Sequence, residues 1–257
     1  MVDNDRIVKS QAFVITQTDY GEADRLYTIF SRSKGKIKAF ARGVRKARSR
    51  KAGHLQPISL IHLVLAKGKT FWIVTQSETV NPMVMTKNDL QKTAKALYCM
   101  ELVDRFLPEE EPLPLLFDTL RDTLERIDQQ DDLFFVIKFF EFQLLKLTGY
   151  MPDLVHCVAC RQIIQPEDQY FSAEQGGVLC PECAKQHFGS RKISMTALKY
   201  LRFIQRSPYT ELQRARINNA VRAEMNQVMQ YYLTYINERI LNTAQFLQQL
   251  GENNRRK

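Results

Sequence analysis

Residues 12–41 read AFVITQTDYGEADRLYTIFSRSKGKIKAFA, and their spacing decides the fold class. Ala12–Thr18 is rich in β-formers, and Asp19-Tyr20-Gly21 is a turn signal. Leu26, Thr28 and Phe30 then alternate through 25–31, and Lys34-Gly35 turns the chain again. In 36–41, Ile37 and Ala39 fall on one face and Lys36, Lys38 and Phe40 on the other, the period of a half-buried strand. Two more β patterns follow at 55–65 and 71–80, joined by the turn Lys67-Gly68-Lys69. Five short strands in the first 80 residues predict a small closed barrel, and five is the strand number of the OB-fold.

From Asn88 the period becomes helical. Leu90, Ala94, Leu97, Met100, Val103 and Leu107 keep three/four spacing, and Pro108-Glu-Glu-Glu-Pro112 ends that helix. A second stripe runs through Leu116, Leu120, Leu124 and Ile127. The segment 133–147 is apolar nearly all round and predicts a central helix, stopped by Gly149 and Pro152. Ser194 has the position of an N-cap for a helix through Leu198, Leu201 and Ile204. A last long helix carries Ile217, Val221, Val228, Tyr232, Ile236 and Ile240. The class is α+β: a barrel domain over 1–80, then a helical domain over 81–257 that carries a cysteine module at about 152–190.

The charged start, MVDNDRIVKS, lacks the apolar run of a signal peptide, and the most apolar stretch is broken by Lys138, Glu141 and Lys146. A cytoplasmic location with no membrane contact is expected. The formal net charge of +9 is confined to one region. Residues 1–80 hold 15 Lys/Arg against 6 Asp/Glu, and the remainder holds 22 against 22. Such a field suits a polyanionic partner met by the barrel.

The densest positive stretch is Arg42-Gly-Val-Arg45-Lys46-Ala-Arg48-Ser-Arg50-Lys51, between the third and fourth strands. Phosphate binding needs several mobile cations along a groove, and this loop supplies them. Lys36, Lys38, Lys67 and Lys69 extend the track, with Tyr20, Phe40 and Phe71 as candidate stacking platforms. Phosphate contacts do not separate DNA from RNA, so an RNA-binding protein stays open on these residues. Gly68-Lys69-Thr70 lacks the earlier glycine of a phosphate-binding P-loop, since position 63 is Leu. No nucleophile, base or paired-carboxylate pattern stands out, and the reading is of a protein that is not an enzyme.

Four of the five cysteines stand as Cys157-x2-Cys160-x19-Cys180-x2-Cys183. Two CxxC knuckles at this separation are the pattern of a tetrahedral four-sulfur zinc site, which leaves no open position for water or substrate. One structural zinc ion is expected. A disulfide pair suits an oxidising compartment instead, and a zinc-dependent enzyme would need one sulfur displaced. His156 and His187 flank the knuckles as substitute ligands. Cys99, within the first helix pattern, reads as a small buried apolar residue.

The chain resembles the RecO family of bacterial recombination mediators. The similarity is carried by DYGEADRLYTIFSRSKGKIKAFARGVRKARSR (19–50), LQPISLIHLVLAKGK (55–69), LLKLTGYMPDLVHCVAC (144–160), GGVLCPEC (176–183) and YYLTYINERI (231–240). The resemblance implies an OB domain followed by a helical domain with an inserted zinc module. It implies binding of single- and double-stranded DNA and annealing of complementary strands. It further implies work with RecR to help RecA replace single-stranded-DNA-binding protein (SSB), whose acidic, Phe-ended tail the helical domain contacts. Phe117, Arg121 and Lys138 are candidates for that tail pocket. The DNA-contacting role carries onto Arg42, Arg45, Lys46, Arg48 and Arg50, and the zinc role onto the four cysteines. A monomer is expected until partners are met. Two positions depart from the family: Arg161 stands where a glycine usually follows the first knuckle, and 241–247 (LNTAQFL) replaces a basic segment.

Overall fold

The computed structural model describes residues 6–237. They fall into two compact units, one running to Asp131 and the other beginning at Asp132. The expected end of the last helix at Ile240 and the segment 241–247 lie outside the described residues.

The first unit opens with β1 (Ile7–Tyr20), β2 (Asp24–Ser31), β3 (Gly35–Ala41), β4 (Leu60–Lys67) and β5 (Trp72–Asn81). They close in the order β1-β2-β3-β5-β4, a five-stranded OB-type barrel. β1 begins earlier than its β-rich centre predicts, because Ile7–Phe13 pairs with β4 while Ala12–Tyr20 pairs with β2. A register shift between Val14 and Thr16 bends the strand from one partner to the other. β4 begins later than expected, at Leu60. Ahead of it Ile58 has φ 68°, and Leu55 leaves the sheet to fill the barrel. Val14, Tyr27, Ile29, Ile37, Ile61, Leu63 and Val74 complete that interior.

Three helices follow in the same unit: α1 (Val84–Asn88), α2 (Leu90–Phe106) and α3 (Pro114–Gln129). Asp89 caps α2 by accepting from the Lys92 N–H at 2.9 Å. Leu90, expected on the buried stripe, is 60% exposed at the first helical position. The stripe of α3 is legible as read, with Leu116, Leu120, Leu124 and Ile127 all fully buried. Phe117 joins them. Its ring lies 5.4 Å from Phe13 and 5.5 Å from Phe30, two residues on the outside of the barrel. Arg32 adds a bidentate pair to Asp118 at 3.0 and 3.1 Å. The helices thus cover a barrel wall whose apolar residues point away from the barrel core.

The second unit contains α4 (Phe134–Leu147), β6 (Gln169–Ser172), β7 (Gly177–Leu179), α5 (Pro181–Ala184), β8 (Arg191–Ile193), α6 (Met195–Arg206), α7 (Tyr209–Leu212) and α8 (Asn219–Asn237). The expected N-cap holds: the Ser194 hydroxyl accepts from the Ala197 N–H at 3.1 Å. Within the apolar α4, Lys138 and Glu141 are both buried and satisfy each other at 2.6 and 2.8 Å. The cysteine module contributes a three-stranded sheet, ordered β7-β6-β8, that the helical reading of this region did not contain. Its strands are three or four residues long, too short to show an alternating pattern.

Truncating Phe117 to Ala removes the ring between Phe13 and Phe30. The expected cost is about 3–5 kcal/mol in chemical denaturation, and a loss under 1 kcal/mol would refute this packing.

Candidate nucleic-acid interface and metal centre

The basic loop is anchored at both ends. Val44 is buried in the barrel core, and so is Leu55. On either side of Val44 the chain is tied to the β1–β2 turn: Asp24 Oδ1 accepts from the Gly43 N–H at 2.6 Å, and the Ala23 carbonyl from the Arg45 N–H at 2.9 Å. What stands out from the barrel is a short arch. Arg42, Lys46, Arg48 and Arg50 are exposed on it, and none has a carboxylate within ion-pair distance among the described residues.

Several of the other predicted cations are already engaged. The Arg45 guanidinium reaches Asp19 at 3.3 Å and the Gly21 carbonyl at 3.1 Å. Lys51 is half-buried and donates to the Val74 carbonyl at 3.2 Å. Lys36, expected on the track, turns instead to Asp104, whose carboxylate lies 3.3 Å away and whose backbone carbonyl also accepts from it. Its side chain is only 14% exposed. Lys38 is more open and pairs with Glu109 at 3.0 Å. Lys67 ends β4 and Lys69 lies in the β4–β5 turn, both exposed.

Beside the arch lies the outer face of β2 and β3. Leu26 sits opposite Phe40, and Phe40 opposite Ile73 of β5, so the three share one face, each half-buried. The Tyr20 ring, 61% exposed, meets Phe40 edge-on at 5.2 Å. Phe71 is half-buried just before β5. An apolar, aromatic strip bordered by cations has the chemistry that base stacking with phosphate contact requires, and in OB-folds generally strands 2 and 3 form the oligonucleotide-binding face. Asp19 holds two cations at the rim. The hydrogen bond from Arg25, at 2.6 Å, is the main reason its carboxyl is lowered below the usual carboxylate range.

In the second unit the four cysteines converge through backbone pairing. The Asp153 N–H donates to Gly176 O at 3.1 Å, Val178 N–H to Asp153 O at 2.9 Å, and Val158 N–H to Val178 O at 2.9 Å. This lays the first knuckle along β7, and a side chain at Gly177 would strike the Asp153 carbonyl. α6 supports the approach from below: Arg202 and Gln205 donate to the carbonyls of Leu154 and Pro152. α8 supports β6, with Phe171 and Tyr232 edge-on at 5.3 Å.

The four sulfurs all lie within 4.8 Å of one another, with Cys160 and Cys180 at 4.0 Å. Four sulfurs at about 2.3 Å around a tetrahedral ion are separated by about 3.8 Å, so the cluster fits one metal ion. Burial raises the Cys157 thiol, but the backbone N–H groups of Cys160, Cys180 and Ala159 outweigh it and bring the group to about 6. Cys183 is pushed up to about 12 by its contact with Cys180, by burial and by the neighbouring sulfurs. Crowded thiolates of this kind ionise together only around a cation. Neither flanking histidine belongs to the group; His156 lies 3.5 Å from Asp153.

Against known proteins, residues 5–83 match the family described as "Recombination protein O N terminal", and residues 87–243 the one described as "Recombination protein O C terminal". The chain belongs to the RecO family. It is 35% identical to "DNA repair protein RecO" of Dehalococcoides mccartyi strain 195, over 90% of this chain and 91% of that one. The protein of the same name from Roseiflexus sp. strain RS-1 is 36% identical over 95% of this chain and 86% of its own. That of Desulforamulus reducens is 30% identical over 97% of both.

The resemblance flagged Arg161, and the geometry explains why glycine suits that place. Its φ is 64°, and its N–H closes the knuckle onto the Cys157 carbonyl at 2.8 Å. An arginine there bears left-handed strain. Each of the three tail-pocket candidates is already engaged within its own unit. Phe117 is barrel packing, Arg121 pairs with Asp118 and Asp122, and Lys138 is buried with Glu141. Sequence reasoning missed the carboxylates Asp19, Asp104 and Glu109 among the barrel cations. The only advance signal was the acidic run 109–111 between two prolines.

Replacing Arg161 with Gly is expected to stabilise the metal-loaded protein by about 1 kcal/mol at unchanged metal content. Equilibrium denaturation with metal analysis checks both halves, and a destabilised variant would contradict the strain.

Proposed function

We propose that this protein acts in DNA repair and recombination as a mediator. It binds single- and double-stranded DNA on the barrel face and brings complementary strands together. The observation that carries this reading is the juxtaposition of the pinned arch Arg42–Arg50 with the strip Tyr20, Leu26, Phe40 and Ile73. Cations on the arch take phosphates, and the strip takes bases. Two strands whose phosphates share one cationic surface repel each other less, which favours pairing without nucleotide hydrolysis.

In this reading RecR is the partner with which the protein helps RecA replace SSB, and the SSB tail is held by the helical part of the chain that follows the barrel. The four cysteines hold one zinc ion whose part is structural: with four sulfurs bound it has no position for substrate. It ties together two knuckles that short strands alone secure weakly. The protein works in the cytoplasm and is not an enzyme. Membership of the RecO family and the names of the relatives support this reading.

Two measurements test it. Changing Lys46, Arg48 and Arg50 together to Ala should flatten the log–log salt dependence of single-strand binding by about 2.1, from 0.7 per lost phosphate contact. An unchanged slope would remove the arch from the interface. Second, complementary oligonucleotides coated with SSB should anneal faster with the protein present and no nucleotide. Unaccelerated annealing alongside tight binding of matched RNA would favour an RNA-binding function instead.

A further inference from the structure

β3 has two barrel neighbours along only part of its length. Its register with β5 covers Ala39 and Phe40, which leaves the Gly35–Ile37 end open on that side. The segment after α2 fills the gap. The Glu110 N–H donates to the Lys36 carbonyl at 2.7 Å, and Lys36 and Glu109 form a parallel bridge. The approach is close enough that a side chain at Gly35, where φ is 68°, would collide with the Glu111 backbone. The strap is thus fixed by main-chain contacts, yet its three side chains Glu109, Glu110 and Glu111 are all exposed. Nothing in that docking requires carboxylates.

Their position gives them a use. Glu109 holds Lys38, which lies on the same outer face as Phe40, at 3.0 Å. At the other end of β3, Asp19 holds Arg25 at 2.6 Å and Arg45 at 3.3 Å. Three cations bordering the strip, Lys38, Arg25 and Arg45, are occupied by two carboxylates, while Arg42, Lys46, Arg48 and Arg50 on the arch have no carboxylate at ion-pair distance among the described residues. We propose that Glu109 and Asp19 are built-in competitors for the phosphate sites, so that nucleic acid must exchange with them. The acidic strap also closes the track beyond Lys38. This rests on the barrel face being the DNA site. Its consequence is an interface that binds through the arch first and releases readily, because each outer cation has an internal anion to return to.

The test uses full-length protein and a fluorescent single-stranded oligonucleotide titrated at several salt concentrations. The variant Glu109→Gln/Glu110→Gln/Glu111→Gln keeps the main-chain docking and frees Lys38. One added contact steepens the salt slope by about 0.7, which is about fivefold tighter binding at 0.1 M salt on a 1 M reference. Adding Lys38→Ala to that variant should cancel the slope gain. Asp19→Asn, which keeps the shape of the side chain, should likewise tighten binding. Unmodified protein that does not bind DNA would sink the functional reading itself. Normal binding by the parent with an unchanged slope in both carboxamide variants, each as stable as the parent, would overturn the competition alone.

Discussion

β1 pairs with β4 through Ile7–Phe13 and with β2 through Ala12–Tyr20, bending where its register shifts past Val14. A strand shared in this way helps close the sheet into a barrel and forces its pleat to divide side chains between a closed interior and an outer wall. The remaining arrangement of the first unit follows from that division. Interior positions take Val14, Tyr27, Ile29 and Ile37, and they also take Val44 and Leu55, which belong to no strand. By burying one residue at each end, the barrel holds the basic loop as an arch. Cations on a pinned arch lose less freedom on meeting phosphate than cations on a loose loop.

The outer wall is divided between two uses. One part, Phe13 and Phe30, is covered by Phe117 of α3 and clamped by the pair between Arg32 and Asp118. Another part, Leu26, Phe40 and Ile73, is left half-exposed beside the arch. The helices after the barrel therefore also decide which surface remains available. The strap Glu109–Glu111, lying against the Gly35 end of β3, marks the boundary between the two.

The cysteine module solves a different problem with similar means. Its strands have three or four residues and little apolar area of their own. Backbone bonds from Asp153 and Val158 to the β7 segment bring the knuckles together, and four sulfurs within 4.8 Å create a cluster whose charge needs a cation. Arg161 at φ 64° shows that the knuckle geometry overrides the preference of the residue. α8 then ties the sheet to the helices through Tyr232, whose hydroxyl donates to the Tyr150 carbonyl at 2.9 Å and whose ring meets Phe171.

Local periodicity made much of this legible in advance. Alternation in 25–41 identified β2 and β3, three/four spacing identified α3, Ser194 marked its helix start, and two CxxC pairs identified the four cysteines whose sulfurs cluster. Each signal is carried by residues close in sequence, where backbone geometry alone relates side chain to face. What depended on distant residues was not legible. Lys36 and Lys38 share a face with Phe40, as alternation requires, but Asp104 in the last turn of α2 and Glu109 in the segment after it engage them. Phe117, read from the sequence as a tail-pocket candidate, is packed against Phe13 and Phe30 on the barrel wall. The sequence by itself determined the barrel strands, the long helices and the four-cysteine pattern. Tertiary structure decided which cations are open to a partner, because a formal charge is counted per residue whereas its availability is set by the carboxylate that folding places beside it.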